Sequence, residues 1–408
     1  MRGLECGSMF RPKGIAVRAI VVATAVLVCG WTLLAQTNFD SGLGRAESAL
    51  QRGDWKDAEK ELRALAKLDP TSFVVHNNLG ALYMQLRRYP EACQEFAKAA
   101  ELSPRSADIQ RNLGTCFFQR NDFSMAVKPL ERAKTLDPSD PRTRYQLGYS
   151  LLMMKQPDEA ELELDYVRSK MPADETTLFA LVRLYQAKQD QQKAGETFLT
   201  LQQAHPNSVF VHILVGESYD LQEKPDEAIA EFQKALDLAP DMPRLHFDLG
   251  FLYWESNRLP EATAEFKKEL AMSPGLGPAL YYLGDISLTE DRPAEAAEFF
   301  AAAITRNPSC LDAHIGLGKA YFRMNRTAEA LRQFERANRL DAGQADVHYW
   351  LATVYRRLQQ TEKSHGEMQR FQALTEAAKV SPATTPSGHD RWAGSTCTED
   401  FTVRRRTP

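Results

Sequence analysis

Residues 39–378 carry a pattern of apolar and polar positions that returns every 34 residues. Within each repeat, positions 4, 7, 8 and 11 fall on one face of a first helix, and positions 20, 24, 27 and 28 fall on one face of a second. The pattern predicts ten repeats, which begin at residues 39, 73, 107, 141, 175, 209, 243, 277, 311 and 345. A proline at position 32 follows the second helix in eight successive repeats, at Pro70, Pro104, Pro138, Pro172, Pro206, Pro240, Pro274 and Pro308. A fixed period of this size indicates stacked helix pairs rather than one globular core.

Two positions of the repeat hold small residues. Position 20 is alanine in nine repeats, and position 8 is glycine in seven, at Gly80, Gly114, Gly148, Gly216, Gly250, Gly284 and Gly318. Glycine inside a helix costs about 1 kcal/mol, so its recurrence requires a packing reason. We expect positions 8 and 20 to face each other where the two helices of a repeat cross, because a larger side chain there would overpack the crossing.

The period, the small positions and the closing proline together resemble the tetratricopeptide repeat. The resemblance covers about residues 39–375 and implies an all-α fold, a right-handed superhelical solenoid of antiparallel helix pairs. It also implies a binding surface, because in that family positions 2, 5, 9, 12 and 13 of the first helices line a concave groove that takes a peptide or protein segment. In this chain position 5 is apolar or aromatic from the fourth repeat onward.

Rings and charges at or near these positions form the hypothetical peptide-binding surface. Its residues are Tyr145, Tyr149, Phe179, Arg183, Phe247, Phe251, Trp254, Tyr281, Tyr282, Phe322, Tyr349 and Trp350. An apolar patch rimmed by charge is typical of an interaction site, and Tyr, Trp and Arg dominate binding hot spots. The alternative is that position 5 is half-buried between adjacent helices, so that these rings only pack.

The first 38 residues differ from the repeats. Arg11, Lys13 and Arg18 precede an uncharged apolar run over residues 19–35, which indicates a signal peptide or a membrane anchor. The run is long for a secretory signal and short for a full span, so cleavage and anchoring both remain open. Either would place the repeats on the outer, periplasmic side of the cytoplasmic membrane, with membrane contact through residues 19–35 if they are uncleaved. The alternatives are an apolar helix packed on the repeats and a cytoplasmic location.

Composition adds little chemistry to this picture. The net charge of −4 gives no general attraction to nucleic acid, and residues 379–408 are predicted to be a disordered tail because they are rich in Ser, Thr, Pro and Gly. The six cysteines show no metal-ligand spacing. Cys93 and Cys116 lie on faces that could meet, and we expect two buried free thiols there rather than a disulfide. Five histidines at position 4 are expected to pack beside the next helix rather than to bind metal: His76, His212, His246, His314 and His348.

The sequence contains no phosphate-binding loop, zinc-protease motif or nucleophile elbow. We therefore expect a non-enzymatic scaffold without cofactor or metal, which binds a protein or peptide segment in bacterial envelope assembly or secretion. The alternative function is a regulatory or docking subunit of a separate enzyme, such as a glycosyltransferase or a protease. Self-association through the exposed end of the tenth repeat is a further alternative.

Overall fold

The computed structural model describes residues 39–380, and within that range the chain forms helices and no strand. Odd-numbered helices are the first helices of the repeats and even-numbered ones are the second helices. Consecutive helices contact each other from α2 to α7 and from α9 to α20. The predicted all-α array of helix pairs is confirmed. The helices are α1 (39–52), α2 (Trp55–Leu68), α3 (Phe73–Gln85), α4 (Tyr89–Leu102), α5 (Ala107–Gln119), α6 (Phe123–Leu136), α7 (Pro141–Met153), α8 (Pro157–Lys170), α9 (Glu175–Ala187), α10 (Gln191–Ala204), α11 (Val209–Leu221), α12 (Pro225–Leu238), α13 (Leu245–Glu255), α14 (Leu259–Met272), α15 (Gly277–Thr289), α16 (Pro293–Arg306), α17 (Leu311–Arg323), α18 (Thr327–Leu340), α19 (Ala345–Arg357) and α20 (Thr361–Val380).

The described range divides into two compact parts, an N-terminal part up to residue 167 and a C-terminal part from residue 168. In the N-terminal part, α1 to α5 enclose a core that includes Leu62, Tyr83 and Phe96. In the C-terminal part, Phe266 and Phe334 are fully buried in separate clusters of the core. Each part therefore has its own packed interior, which follows from stacking the apolar faces predicted by the repeat pattern.

The position-8 glycines lie directly against the side chain at position 24 of the second helix. A Cβ atom added to Gly80 would lie 2.6 Å from Phe96, and one added to Gly250 would lie 2.9 Å from Phe266. The expected close approach at position 8 is confirmed, but the main neighbour is the side chain at position 24 rather than the alanine at position 20. The glycine makes room for the phenylalanine or leucine at position 24. The backbone carbonyl of the alanine at position 20 also lies against the glycine, as the Ala160 carbonyl does at Gly148.

Each turn between the two helices of a repeat contains one residue with left-handed backbone at position 15. It is Gly53 in the first repeat, and non-glycine residues take the same conformation in the nine others: Arg87, Asn121, Lys155, Gln189, Glu223, Asn257, Asp291, Asn325 and Gln359. The amide that follows donates to the carbonyl at position 11, as from Arg88 to Tyr83 at 2.8 Å. This bond satisfies a carbonyl at the end of the first helix, so the turn is closed by backbone rather than by one residue type.

The first helices of repeats two to six are capped by the residue at position 34 of the preceding repeat. Ser72, Ser106, Asp140, Asp174 and Ser208 each accept a hydrogen bond from a backbone N–H of the first turn. Such caps stabilise a helix by about 1 kcal/mol each. They explain why these helices begin immediately after the short turn that follows the proline.

The seventh repeat starts its first helix late. The helix α13 has 11 residues and is preceded by Arg244 in a left-handed conformation, with φ of 76°. The buried carboxylate of Glu269, on α14, accepts from the Arg244 backbone N–H at 3.2 Å. Burial raises the pKa of Glu269 above its ordinary value, although backbone N–H groups of Arg244 and Phe247 oppose the rise. A side chain from the second helix thus replaces the missing cap.

The sulfur atoms of Cys93 and Cys116 form a disulfide, so the expectation of two free thiols is wrong. Cys93 is at position 21 of its repeat, on α4, and Cys116 is at position 10 of the next repeat, on α5. Their Cα atoms lie 5.5 Å apart, a separation typical of disulfides. The bond joins the second repeat to the third. Sequence spacing alone did not reveal it, because the two positions meet only through the stacking of one repeat on the next.

The predicted leader (1–38) and most of the predicted tail (379–408) lie outside the described residues. Within residues 39–380, no helix combines the length and the apolar character that crossing a membrane requires.

We expect Gly250→Leu to lower the melting temperature strongly, because the new side chain overlaps Phe266 and overpacking costs about 1–3 kcal/mol or more. Gly195→Ala is the matched control, since nothing lies within 4 Å of a Cβ added to Gly195 in α10. That change should raise stability by about 0.5–1 kcal/mol. Thermal unfolding followed by circular dichroism measures both, and equal effects of the two variants would contradict the proposed crossing.

The disulfide predicts a covalently linked pair of peptides in a digest made without reductant, one containing Cys93 and the other Cys116. Replacing both cysteines by alanine should lower the stability of the N-terminal part by about 3 kcal/mol, because the closed loop constrains the unfolded chain. Mass spectrometry tests the linkage, and thermal unfolding tests the stability. Unlinked peptides, or a double variant that melts like the wild type, would refute this account.

Candidate functional site

The C-terminal part contains a cavity of about 630 Å³ on the first helices of repeats seven to nine. Its residues come from α13, α14, α15, α17 and the turn after α13. They are Phe251, Trp254, Glu255, Asn257, Leu259, Tyr281, Tyr282, Asp285, Thr289 and Asp312. Pockets of this size are typical of ligand-binding sites, and four of the twelve predicted binding residues line this one.

Aromatic rings form one wall of the cavity. The Trp254 ring lies 4.9 Å from the Tyr282 ring and 5.7 Å from the Phe251 ring, measured between centroids. Tyr281 and Tyr282 meet edge to face at 5.1 Å. Phe251 and Tyr282 are buried, whereas Trp254 and Tyr281 are half-buried. The buried rings therefore hold the two half-buried rings in place.

Three carboxylates accompany this aromatic wall, one from each of three successive first helices: Glu255, Asp285 and Asp312. Asp285 accepts a hydrogen bond from the Trp254 indole N–H at 3.0 Å, which fixes the orientation of that ring. Burial raises the pKa of Asp285, while the Trp254 donor and the charge of Lys319 act in the opposite direction.

Burial and the nearby carboxylates both act on the pKa values of the two tyrosine hydroxyls. Burial is the main cause that raises the pKa of Tyr281 and Tyr282, and the charges of Asp312 and Asp285 raise both further. The charge of Glu255 also raises the pKa of Tyr282. All three carboxylates therefore act on Tyr282, and two of them also act on Tyr281.

Other predicted binding residues of the C-terminal part lie outside this cavity. Phe247 is 1% exposed and packs against Phe266 and Tyr282. Phe179 stacks on Phe210 with centroids 4.5 Å apart. Arg183 makes two hydrogen bonds of 2.5 and 2.6 Å to Glu217. Phe247 thus supports the surface from inside, and Arg183 has an internal partner.

The last aromatic group lies on α17 and α19. Trp350 stacks on the buried ring of Phe334 and meets Phe322 edge to face, in both cases with centroids 5.7 Å apart. Tyr349 is 41% exposed and is the most accessible ring of the predicted set in the C-terminal part. The guanidinium of Arg357 covers the Phe322 ring at 3.5 Å, so charge already occupies one face of this group.

Tyr145 and Tyr149 belong to the N-terminal part and form a separate aromatic group. Both are half-buried, with their rings 6.1 Å apart, and both contact Phe118 on α5. They lie on α7, whose glycine, Gly148, packs on α8. Binding by any of the twelve residues stays a prediction, and the burial of Phe247, Phe251 and Tyr282 assigns those three to support.

The predicted set did not include Glu255 and Asp312, although both occupy positions that the family places in its groove. Glu255 is at position 13 of the seventh repeat and Asp312 is at position 2 of the ninth. A search for acidic residues at the groove positions of adjacent repeats would have found them. A search for aromatic residues alone could not have found them, because the cavity is formed by residues about 30 or more positions apart in sequence.

The position-4 histidines are engaged within the repeat. In four of them the Nδ1 atom lies 2.6–2.7 Å from a glutamate on the second helix: His76 with Glu95, His212 with Glu231, His246 with Glu265 and His348 with Glu367. His314 contacts Gln333 in the same way. In the fourth repeat Arg144 takes this place and binds Glu163. The expectation of packed histidines is confirmed, and their partners are polar.

Sequence models of the family described as "Tetratricopeptide repeat" match residues 71–139, 221–285 and 287–352. Among curated proteins, no sequence matches the chain significantly.

Several solved structures are similar to this chain at low sequence identity. The APC/C hetero-tetramer Cut9–Hcn1 is 15% identical, with 84% of this chain and 73% of that chain covered and a TM-score of 0.53. A monomeric mutant of IFIT1 with m7Gppp-AAAA is 18% identical over 81% of this chain and 80% of that chain, with a TM-score of 0.50. MamA from Desulfovibrio magneticus RS-1 is 17% identical over 41% of this chain and 96% of its own, with a TM-score of 0.40. At identities this low, the first two likenesses show a common fold and nothing more.

The His76–Glu95 pair predicts a pH-dependent contribution to stability. Burial alone would raise the pKa of Glu95, but hydrogen bonds from Lys98 and His76 outweigh it and leave the pKa below its ordinary value. The ionised carboxylate therefore stabilises the fold above the unfolded-state pKa of about 4.3, and this contribution is lost as the pH falls through the lower folded-state pKa.

We expect Glu95→Gln to lower the melting temperature near neutral pH and to have a smaller effect below about pH 4. Glu101→Gln is the control, because Glu101 is exposed on the same helix. Thermal unfolding between neutral and acid pH measures the difference. A deficit of Glu95→Gln that stays constant across that range would rule out the ionised pair as its source.

Proposed function

The chain belongs to the tetratricopeptide-repeat family, and from that premise we propose that it holds a segment of a partner protein against the first helices of repeats seven to nine. Repeat arrays of this family are typically non-catalytic scaffolds for protein interactions, because stacked repeats present extended surfaces to partners. The binding residues would be those of the cavity on α13, α15 and α17, with Trp254 and Tyr281 in direct contact.

The observation that carries the proposal is a half-buried aromatic pair supported by buried rings. Hot spots at interfaces are large, rigid side chains, Trp and Tyr above all, seated among neighbours that exclude water. Trp254 meets this description, since Phe251 and Tyr282 pack on its ring and Asp285 binds its N–H. A preformed pocket limits the entropy lost on binding, which suits capture of an extended or helical segment.

We also propose that the repeats act outside the cytoplasmic membrane, in the assembly or secretion functions of a bacterial envelope. Two observations support this setting. The first 38 residues combine basic residues with an apolar run, and the Cys93–Cys116 disulfide suits an oxidising compartment. N-terminal sequencing of the protein recovered from its host would show whether the leader is removed.

Site-specific crosslinking in the host tests the binding site. A photoreactive phenylalanine analogue at Thr289, which is exposed at the edge of the cavity, should capture the partner. The same analogue at Glu227, exposed on α12, is the control and should not. Capture of the same protein from both positions, or from neither, would reject the site. An enzymatic activity in the captured partner would favour a docking subunit over an assembly scaffold.

Trp254→Phe should weaken binding of the captured partner by about tenfold, because it removes part of an aromatic anchor and its N–H donor. Trp55→Phe is the matched control and should leave the affinity unchanged, since Trp55 lies on α2 in the N-terminal part and is exposed. Isothermal titration with purified partner measures both. Equal losses of affinity in the two variants would show that the partner does not bind at the cavity of repeats seven to nine.

A further inference from the structure

The Cys310 sulfur, at the start of α17, is part of a second disulfide. Cys93 and Cys116 are bonded to each other, and residues 39–380 contain no fourth cysteine. The partner of Cys310 therefore comes from the rest of the sequence, which offers three cysteines: Cys6, Cys29 and Cys397.

We propose that Cys310 is bonded to Cys397, and that this bond holds a C-terminal segment, residues 391–404, over the cavity of repeats seven to nine. The bond itself needs no partner protein. The covered cavity rests on the proposed function, because the segment would lie where a partner binds.

The two other cysteines belong to the predicted leader. Cys29 lies in the apolar run of residues 19–35, and Cys6 precedes that run. Cleavage of the leader removes both cysteines from the mature chain, whereas an uncleaved leader keeps Cys29 within the membrane and Cys6 on its inner side. Neither case leaves a leader cysteine available to α17. Cys397 stays on the same side of the membrane as the repeats.

The length of chain after α20 is sufficient for the bond. The two helices of each repeat are antiparallel, so the end of α20 and the start of α17 lie at the same end of the helix pairs. Helix α17 contacts α19, and α19 contacts α20. Packed helix axes are about 8–10 Å apart, whereas the 17 residues 381–397 span up to about 55 Å when extended. Cys397 is therefore within reach of Cys310.

Cys310 lies in a surface turn and is nevertheless fully covered. It occupies position 34 of its repeat, where Ser72 and Ser106 are half-buried. Cys310 is 0% exposed, although Ser309 beside it is exposed. Its Sγ atom accepts a hydrogen bond from the Ala313 N–H at 3.3 Å, so the sulfur caps α17 as serine hydroxyls cap earlier helices. The bonded partner therefore lies against the first turn of α17.

The start of α17 is also an edge of the cavity. Asp312 lines the cavity and follows Cys310 by two residues. A segment bonded to Cys310 is therefore attached at the cavity itself. Attachment by a short tether gives an effective concentration in the millimolar range, so even weak contacts between the segment and the cavity would be occupied most of the time.

The segment contains rings that match the aromatic wall of the cavity. Trp392 and Phe401 are five and four residues from Cys397, so an extended chain places each ring within about 15–18 Å of the bond. The wall offers the half-buried rings of Trp254 and Tyr281. Aromatic pairs gain more than their buried area alone provides. Contacts between these rings would hold the segment over the cavity.

The bond forms by thiol–disulfide exchange with a thiol oxidoreductase in its disulfide form, as found in oxidising compartments. The Cys397 thiolate attacks one sulfur of that disulfide and forms a mixed disulfide. The Cys310 thiolate then attacks the Cys397 sulfur, and the S–S bond to the oxidoreductase breaks. Two electrons and two protons pass from the two thiols to the oxidoreductase, which leaves as a dithiol.

Peptide mapping tests the bond. The full chain is recovered from its host with free thiols blocked by N-ethylmaleimide before lysis, and it is digested with trypsin without reductant. We expect peptide 307–319, which contains Cys310, to be joined to peptide 392–404, which contains Cys397. Reduction before digestion should separate the two peptides.

Three results of the mapping would overturn the inference. They are maleimide-blocked Cys310, a link from Cys310 to Cys6 or Cys29, and a reducible dimer on a gel, which would show a bond between two chains.

Photocrosslinking of the purified chain tests the cover. With the phenylalanine analogue at Thr289, irradiation without a partner should join position 289 to peptide 392–404, and the analogue at Glu227 should not. Cys397→Ser should lower the yield at Thr289 at least about fivefold, because the tether is lost. Cys310→Ser should do the same and keep the helix cap, since serine caps earlier helices. Undiminished yield in both variants, or no crosslink in the wild type, would refute the cover.

These results separate the inference from the proposed function. If peptides 307–319 and 392–404 are joined and Thr289 captures no partner in the host, the bond stands and the proposed function fails. If Thr289 captures a partner and Cys310 is recovered as a blocked thiol, the proposed function stands and the bond fails.

Discussion

The contact between a glycine on the first helix and a large side chain on the second determines how closely each helix pair can approach. In seven repeats the absent side chain leaves room for a phenylalanine or leucine at position 24, with distances of 2.6–3.0 Å to an added Cβ. Close-packed interiors tolerate little extra volume at such points. Because the crossing is fixed, the remaining positions of the first helix have fixed directions, and groove positions of adjacent repeats come together. The cavity of repeats seven to nine depends on this constraint, since its rings and carboxylates lie on three successive first helices.

Polar contacts complete this apolar scaffold with the same periodicity. The side chain at position 4 reaches the second helix of its own repeat and, in several cases, the carbonyl at position 32 of the preceding repeat. His76 contacts both Glu95 and the Pro70 carbonyl, and Arg144 contacts both Glu163 and the Pro138 carbonyl. One residue thus fixes two helices and a turn relative to each other. Buried polar groups must find partners, and here the repeat geometry supplies them at regular intervals.

The helices and the small positions could be predicted from the sequence, because each is a local pattern that recurs in most of the ten repeats. Features that depend on one repeat meeting the next could not. The pairing of Cys93 with Cys116 and the closure of α13 by Glu269 have no local signature. The left-handed residue at position 15 was also hidden, because Arg87, Lys155 and Glu223 give no sign of a conformation that usually favours glycine or asparagine. The exposure of individual rings could not be predicted either. Phe247 is buried and Trp254 is half-buried, although both lie on α13 and belong to the same aromatic pattern.

The Cys93–Cys116 bond has a consequence for how the array comes apart. In a stack whose members contact only their neighbours, loss of structure tends to start at an end and to spread inward one member at a time. The first repeat is the weakest match to the pattern in its half of the chain, with Arg45 at position 7 and Ala49 at position 11. A covalent tie between α4 and α5 lies just beyond it. Fraying that begins at α1 therefore meets a barrier at the second repeat, and slow hydrogen exchange should start at that point along the chain.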